Sequence, residues 1–400
     1  MRTKTILFAA ASLAGFATPA MAQDSGQLTI NGILRLRVET VDQDNALDAA
    51  TAITMRGRLG ATLKFGNLSI LGEGETTFSM LDHFNDTLPG NGVEPYSLVA
   101  DPDNLELNRA QVSYIVDGNG VTVGRQRIIL DNARFVGNVG WRQNEQTFDA
   151  VRGQFKTGPF SLDATYSISQ RTIFGVDSPR EHMDGDLVLL NGGIDTANVD
   201  AKAFAYLLDY DPGQAFNSLP FSSQTYGVLV TAAVPIGATR LNLTASVATQ
   251  QDMGLNPTDY STEYYNFELG TTLSGFNLRA GYEELGSDGG VASFQTPLAT
   301  LHAFNGWADL FLITPAAGLR DYYGSVSRPV AIPGLTTFTA TVAYHEFESD
   351  FGGVNYGSEW DASVGFRAGP VNLLAKFASY DADLFGVDTS KVWLQAEYSF

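Results

Sequence analysis

Hydrophobic and polar positions trade places residue by residue along most of the chain. Leu28, Ile30, Leu34, Leu36 and Val38 share one parity, and Thr29, Asn31, Arg35, Arg37 and Glu39 share the other. Ile53, Met55, Leu59, Ala61, Leu63 and Phe65 alternate in the same way with Thr54, Arg56, Arg58, Thr62 and Lys64. The pattern returns from Phe160 to Ile168, Leu241 to Val247, Phe338 to Tyr344 and Trp360 to Phe366. Successive side chains of a β-strand point to opposite faces, so each stretch predicts a strand with one apolar and one wet side. The runs last about 9 to 12 residues, the length of a tilted membrane-crossing strand and about twice that of an average soluble one. Phe65, Phe78, Phe155, Phe160, Phe276, Tyr282, Phe338, Tyr344 and Phe366 sit toward the ends of apolar rows, where the interfacial girdles of a membrane barrel belong.

The connections have a rhythm of their own. Short turns are predicted at 66–67, 117–120, 157–159, 196–198, 235–238, 274–275, 328–334 and 369–370. Longer polar loops fall between them at 41–51, 79–104, 129–147, 170–185, 209–223, 250–262, 285–318, 348–357 and 381–389. Short and long alternate without a break, as the periplasmic turns and extracellular loops of an outer-membrane barrel do. The spacing predicts an all-β fold: a single transmembrane antiparallel β-barrel of 18 strands, within a range of 16–18, with both ends of the chain periplasmic. Segments 182–194 and 319–327 carry the weakest strand pattern. Val392, Leu394, Ala396, Tyr398 and Phe400 make an apolar row ending on a terminal aromatic, which resembles the closing strand read by the barrel-assembly machinery.

Residues 1–22 read differently. Arg2 and Lys4 precede a short apolar stretch, Ile6 to Phe16, and Ala20-Met21-Ala22 makes a small-residue cleavage site. That is the pattern of a secretory signal peptide, so the mature domain is expected to span residues 23–400 and to reside in the outer membrane of a Gram-negative bacterium. The absence of cysteine leaves neither a disulfide framework nor a thiol site. Mean hydropathy is −0.04 and no stretch after the leader approaches the length of a spanning helix. Without Arg2 and Lys4, 22 bases face 44 acids, a formal charge of −22 that argues against nucleic acid as a partner.

A closed barrel with an apolar outer face turns its polar rows inward, and 16 to 18 strands leave room for an aqueous channel. By parity Arg35, Arg37, Arg56, Arg58, Arg109 and Arg152 face that lumen, joined by Arg240, Arg279, Arg367 and Lys376. Two readings stay open. The arginines form a guanidinium track for carboxylate-bearing solutes, or they neutralise lumen acids such as Glu73 and Glu75 on the neighbouring strand. Asp42, Asp44 and Asp48 lack the glycine and closing glutamate of a calcium loop. They suit a solvated acidic loop, bridged to lipopolysaccharide by loosely bound Ca2+, better than a dedicated metal site. A barrel enzyme would need a rim histidine with a partner, and the chain offers only His83, His182, His302 and His345. His345, beside Glu346 and Glu348, is the candidate base, but no serine or aspartate partner is identifiable from sequence, and no catalytic site or cofactor is expected. A TonB-gated receptor needs about 22 strands and a plug domain, for which the chain is too short. A structural barrel without a channel would require loops such as 79–104 and 285–318 to fill the bore.

Two stretches resemble a known family. One is Gly124-Arg125-Gln126-Arg127, followed by Asp131, Arg134-Phe135-Val136-Gly137, Trp141-Arg142-Gln143-Asn144 and Phe148-Asp149. The other runs from Phe294 through His302-Ala303-Phe304-Asn305-Gly306-Trp307-Ala308-Asp309 to Asp321. Both are similar to the alginate export family of outer-membrane barrels. The resemblance implies a monomeric 18-stranded barrel that passes anionic polyuronate through an arginine-rich lumen. On the motif it makes Arg125, Arg127, Arg134 and Arg142 candidate constriction residues. The acids Glu73, Glu75, Glu268 and Glu283 depart from a strongly basic pathway. The function expected is an outer-membrane channel for anionic or neutral hydrophilic solutes, alginate-like oligo- or polyuronates among them. A general porin-like diffusion channel is the alternative. Lipid, lipopolysaccharide and the solute are the expected partners.

Overall fold

The structure, a computed structural model, describes residues 26–400 apart from 238 and 334; the signal peptide expected at 1–22 lies outside the described residues. Each polar–apolar stretch forms a strand. In order these are β1 (Gln27–Gln43), β2 (Ala50–Phe65), β3 (Leu68–His83), β4 (Asn104–Val116), β5 (Asn119–Gln126), β6 (Thr147–Thr157), β7 (Phe160–Arg171), β8 (His182–Asp195), β9 (Val199–Tyr210), β10 (Ser223–Ile236), β11 (Thr239–Asp252), β12 (Ser261–Leu273) and β13 (Phe276–Leu285). A two-residue ladder, β14 (Ser287–Asp288) with β15 (Ala292–Ser293), decorates a loop. The barrel resumes with β16 (Leu319–Pro329), β17 (Thr336–Glu348), β18 (Asn355–Ala368), β19 (Val371–Ala382) and β20 (Thr389–Ser399).

Apart from the β14–β15 ladder, these strands form one 18-stranded antiparallel sheet, each pairing with its neighbour in sequence, and β1 pairs with β20 to close the barrel. The predicted count and alternation of connections are both observed, and the weak segments form β8 and β16. Closure removes every free edge, the condition for strands to cross a bilayer. The seam is tight. Gly32 and Phe400 exchange backbone hydrogen bonds of 2.9 and 3.0 Å, and a Cβ on Gly32 would lie 2.3 Å from the Phe400 ring.

The two faces follow the two parities. Leu28 and Leu59 are 61% and 60% exposed, whereas Arg37 and Arg56 in the same two strands are at 0% and 1%. This outer row is the lipid face, since apolar area stays on the outside only where hydrocarbon is the solvent. Phe65, Phe155, Phe160 and Phe276 ring the periplasmic edge, and Tyr226, Tyr322 and Trp360 lie on the outer face toward the other end.

The inside is not simply wet. β5 is only 8 residues long, so the chain leaves the wall early and segment 127–146 enters the bore. Segment 286–318 enters as well, and the two meet where Val136 bridges Leu298. Ile128, Leu130, Val136, Phe294, Leu298 and Phe311 from these segments pack on inward residues of the wall, among them Leu187, Leu189, Phe204, Tyr206, Phe347 and Trp393. Loop 79–104, the other long loop able to fold inward, does so only at its end. Phe84 and Val99 pack with Val41, Ala50 and Ala52 near the extracellular ends of β1 and β2, while Asp101 is buried.

Candidate functional site

Strand parity places the lumen arginines, and the inserted loops meet them. On β1, Arg35 donates to Glu397 at 2.7 Å and to the Gly140 and Trp141 carbonyls at 3.1 Å. Arg37 donates to the Trp141 carbonyl at 2.6 Å, covers its ring at 4.1 Å and approaches Asp101 at 3.7 Å. On β2, Arg56 lies 3.3 Å from Glu397, and Arg58 bridges Glu75 of β3 and Glu145 of segment 127–146. Arg109 pairs with Glu73 at 2.5 Å, Arg127 with Glu145 at 2.5 Å, and Arg152 with Asp163 at 2.6 Å. Arg142 meets Glu39 at 3.0 Å and Asp101 at 3.7 Å. Arg134 reaches Glu283 on β13 at 2.7 Å, together with Thr296 and Asn305.

Each of these guanidinium groups therefore has a carboxylate opposite it. A cation already paired in a low-dielectric site has little left to offer a passing anion. For these arginines the contacts favour internal neutralisation over a guanidinium track, whereas Arg240 and Arg367, near the periplasmic turns, meet no carboxylate among the described residues. The neutralising acids include Glu145 and Glu397, which the sequence pattern did not single out, and Asp101, an acid of loop 79–104 that strand parity could not place in the lumen.

Arg125 is a correction. It shares parity with the exposed Val121 and Val123 and pairs across to Asp149, whose own row contains exposed Val151. Arg125 therefore belongs to the outward row at the end of β5, and its carboxylate partner is there too, at 2.8 Å. Arg109 is inward because of a bulge. Leu105 and Leu107 point out, as do Val112 and Tyr114, and the parity reverses at the unpaired Asn108, so Asn108 and Arg109 both face in.

A second cluster ties segment 286–318 to the opposite wall. Lys376 of β19 lies 3.6 Å from the Trp307 ring centre and 4.4 Å from that of Trp141, and it donates to His302 Nε2 at 2.7 Å. His302 Nδ1 is 2.7 Å from Asp309, and its ring stacks on Trp141 at 4.4 Å. Burial pushes the His302 imidazole down to about 3, against the pull of Asp309. Neutral His302 then donates through Nδ1 and accepts through Nε2. The backbone amides of Trp307 and Ala308 donate to Glu359 of β18 at 2.5 and 2.8 Å. At Glu145, burial raises the carboxyl's pKa, but Arg58 and Arg127 outweigh it and hold it at about 2.

What space is left lies on the other side of the lumen. A cavity of about 470 Å³ is bounded by β9 to β13 and by β16 and β17, and roofed by Phe304, Asn305 and Trp307. It extends down to Asp200 and Thr231, near the periplasmic turns. A smaller cavity of about 270 Å³ shares Asp131 with it and runs past Arg152 toward Gly118. The histidine named from sequence, His345, lines the larger cavity and does have an aspartate partner, Asp321 at 2.9 Å. Its hydrogen bonds run to Asp321 alone, with no serine or threonine hydroxyl among its partners in the described residues. A base without a nucleophile is half of a hydrolytic site. Among the described residues no group of three or more His, Asp or Glu side chains gathers as metal ligands do.

The pattern of the family described as alginate export matches residues 27–182, so the resemblance read from the first motif is found there; the motif at 294–321 lies beyond that match. No curated protein matches the chain by sequence. Among solved structures, the outer membrane protein opdK of Pseudomonas aeruginosa superposes with a TM-score of 0.71 at 13% identity, over 94% of this chain and 98% of that one. OpdO of the same species gives 0.69 at 14%, over 93% and 97%. OccAB4 of Acinetobacter baumannii gives 0.70 at 14%, over 94% and 98%. The fold shared with them is the closed barrel of an outer-membrane protein, and the lipid-facing rows of this chain agree with it.

Proposed function

We propose that this barrel, which carries the alginate export pattern over β1 to the start of β8, is an outer-membrane diffusion channel for small hydrophilic solutes, shut in this conformation by its own segments 127–146 and 286–318. The observation that carries the reading is the lumen itself. It holds a cavity of about 470 Å³ that reaches toward the periplasmic turns, beneath loops tied to the wall by ion pairs and apolar packing rather than continuous with the sheet. Loops held this way can leave without breaking the sheet. A small solute fits better than a polymer, because an extended polyuronate needs an unobstructed bore and the arginines that would guide it are engaged. The crystal structure of the neighbour OpdK with vanillate, a small organic molecule, supports the same choice of size. No chemistry is assigned to the lumen. The outward closing row that ends at Phe400 supports recognition by the barrel-assembly machinery.

The test is single-channel recording in planar bilayers. The native protein is expected to show small or infrequent openings. Arg134→Ala cuts the anchor of segment 127–146 to Glu283 and should raise mean conductance severalfold. Absence of any current from native and variant protein alike, with the barrel shown to be folded by its heat-dependent gel mobility, sinks the channel reading.

A further inference from the structure

The cavity under the loop roof has a chemistry of its own, opposite in sign to that expected of the lumen. Its acids are Asp131, Asp200, Glu268, Glu283 and Asp321, and the one arginine on its lining is Arg279. Arg279 is bound to Glu268, which also accepts from the Tyr323 hydroxyl at 2.8 Å. Glu283 and Asp321 share the Asn305 amide, at 2.7 and 3.2 Å, but Glu283 is also engaged by Arg134 and the Tyr264 hydroxyl and Asp321 by His345, so Asp131, Asp200 and Glu268 are the acids with acceptor capacity left for a solute. Between the acids the strands present short hydroxyls and amides, including Thr244, Asn266, Ser325 and Thr341. Phe304, Trp307 and Tyr264 supply flat apolar surface at the roof and upper wall.

We propose that this cavity is a binding subsite for a neutral, hydroxyl-rich solute of about disaccharide size, and that it turns away carboxylate-bearing ones. The inference rests on the channel reading and names its solute class. The volume lies in the range of small-molecule pockets, which are largely apolar walls with a few placed polar groups. Carboxylates are acceptors with lone pairs to spare after one or two protein partners, and sugar hydroxyls are the donors that fit them. A uronate brings its own negative charge to a wall where Asp131 has no cation at ion-pair distance among the described residues and the one guanidinium on the lining is already held by Glu268. That like-charge penalty acts as selection against the wrong solute. Sugar rings lie on aromatic surface through their apolar faces, a contact that a hydrated carboxylate does not improve.

The experiment is a titration of the channel current in bilayers with three probes in turn: cellobiose, a mannuronate dimer and vanillate. Cellobiose should reduce the current saturably, and the two carboxylates should not. Glu268→Gln is the diagnostic variant. It removes one acceptor and releases Arg279, so cellobiose block should weaken about fivefold, the size of one lost hydrogen bond. Block by the mannuronate dimer should appear in the same variant. Stronger block of the native channel by either carboxylate overturns the proposal, as does steady current untouched by cellobiose. Both outcomes leave the channel reading standing. Should the native protein pass no current, tryptophan fluorescence of the solubilised barrel decides instead. Saturable change with cellobiose but not with the uronate supports the subsite, and a flat trace for both refutes it.

Discussion

Inside segment 286–318, His302 is held neutral by burial and by a hydrogen-bond pattern that only the neutral ring can complete. Protonating it would cost both Lys376 as a donor and the dry surroundings. The unfolded or released segment would titrate near the ordinary histidine value, about 6.5. The bound one takes its proton only near pH 3. More protons bind to the released state across that window, so the anchor is complete above about pH 6.5 and weakens as pH falls toward 3. Glu145 adds a second step in the same direction. Its carboxyl is held at about 2 in place, so its contribution is complete above about 4.5 and lost as pH falls through 2. These two groups should therefore add a fall in the melting temperature of the detergent-solubilised barrel below about pH 6.5, and His302→Gln should flatten the upper part of that fall. An identical profile in the variant rules out His302 as the source. Glu145→Gln leaves Arg127 without its nearest carboxylate and Arg58 with Glu75 alone. Removing one partner from a buried pair typically costs about 3 to 5 kcal/mol, so a clear drop in the urea midpoint is expected. The sequence shows part of this. Glu75 was visible as a cross-strand partner of Arg58 because it lies on the next strand. Glu145, Glu397 and Asp101 were not, because they arrive from loops and from the closing strand, and parity says nothing about where a loop will fold.

Strand rows were the most legible feature of the chain, and their failures have local causes. Parity holds only as long as no residue is inserted. At Asn108 one extra residue faces Glu73 and Gly74 of β3, and the row that carries Leu105 and Leu107 outward would otherwise carry Arg109 into lipid. Deleting Asn108 should force that outcome or a slip of the whole register. A lipid-facing arginine costs about 2 to 4 kcal/mol at mid-bilayer, and Arg109 would also lose Glu73. The deletion variant is expected to accumulate poorly and to lose its heat-modifiable band. A normal band would show that the bulge is dispensable. The glycine of the Gly-Arg-Gln-Arg motif has a similarly local reason. Gly124 has φ +111°, and a Cβ there would sit 2.3 Å from the Ala110 carbonyl oxygen. It lets β5 approach β4 as the strand ends and the chain turns inward. The motif lies where the chain leaves the wall, and its first arginine does not face the lumen as the resemblance implied. Arg125 falls on the outward side of the turn, and Arg127 and Arg134 fall inside. Inward apolar positions such as Leu187 and Leu189 blurred the alternation in β8, because they pack on inserted loops instead of facing water.

Charge is distributed along the barrel axis in a way no single strand reveals. The outer loops 44–49, 84–103, 172–181, 211–222, 253–260, 349–354 and 383–388 are studded with aspartate and glutamate and hold Arg180 as their one base. At the other end, Lys64, Arg240 and Arg367 lie beside periplasmic turns on inward rows, and none of them makes an ion pair with a carboxylate among the described residues. Lys156 joins them there, with a loose contact of 3.5 Å to Asp195. On the channel reading, the unpaired Lys64, Arg240 and Arg367 would weight the inner mouth toward anions, against Asp117, Asp195 and Asp200 at the same end, while the outer mouth would favour cations. Mouth charges change the local ion concentration and hence the current entering from that side, an effect that fades once the Debye length drops to about 3 Å in 1 M salt. The current–voltage curve of a single inserted barrel should be asymmetric at 0.1 M KCl and nearly symmetric at 1 M. Replacing Lys64 and Arg367 together by glutamine should reduce the low-salt asymmetry without moving the lipid-facing rows or the loop anchors. Asymmetry that persists unchanged in 1 M salt would instead trace rectification to the inserted loops, and the axial charge would then have no part in conduction.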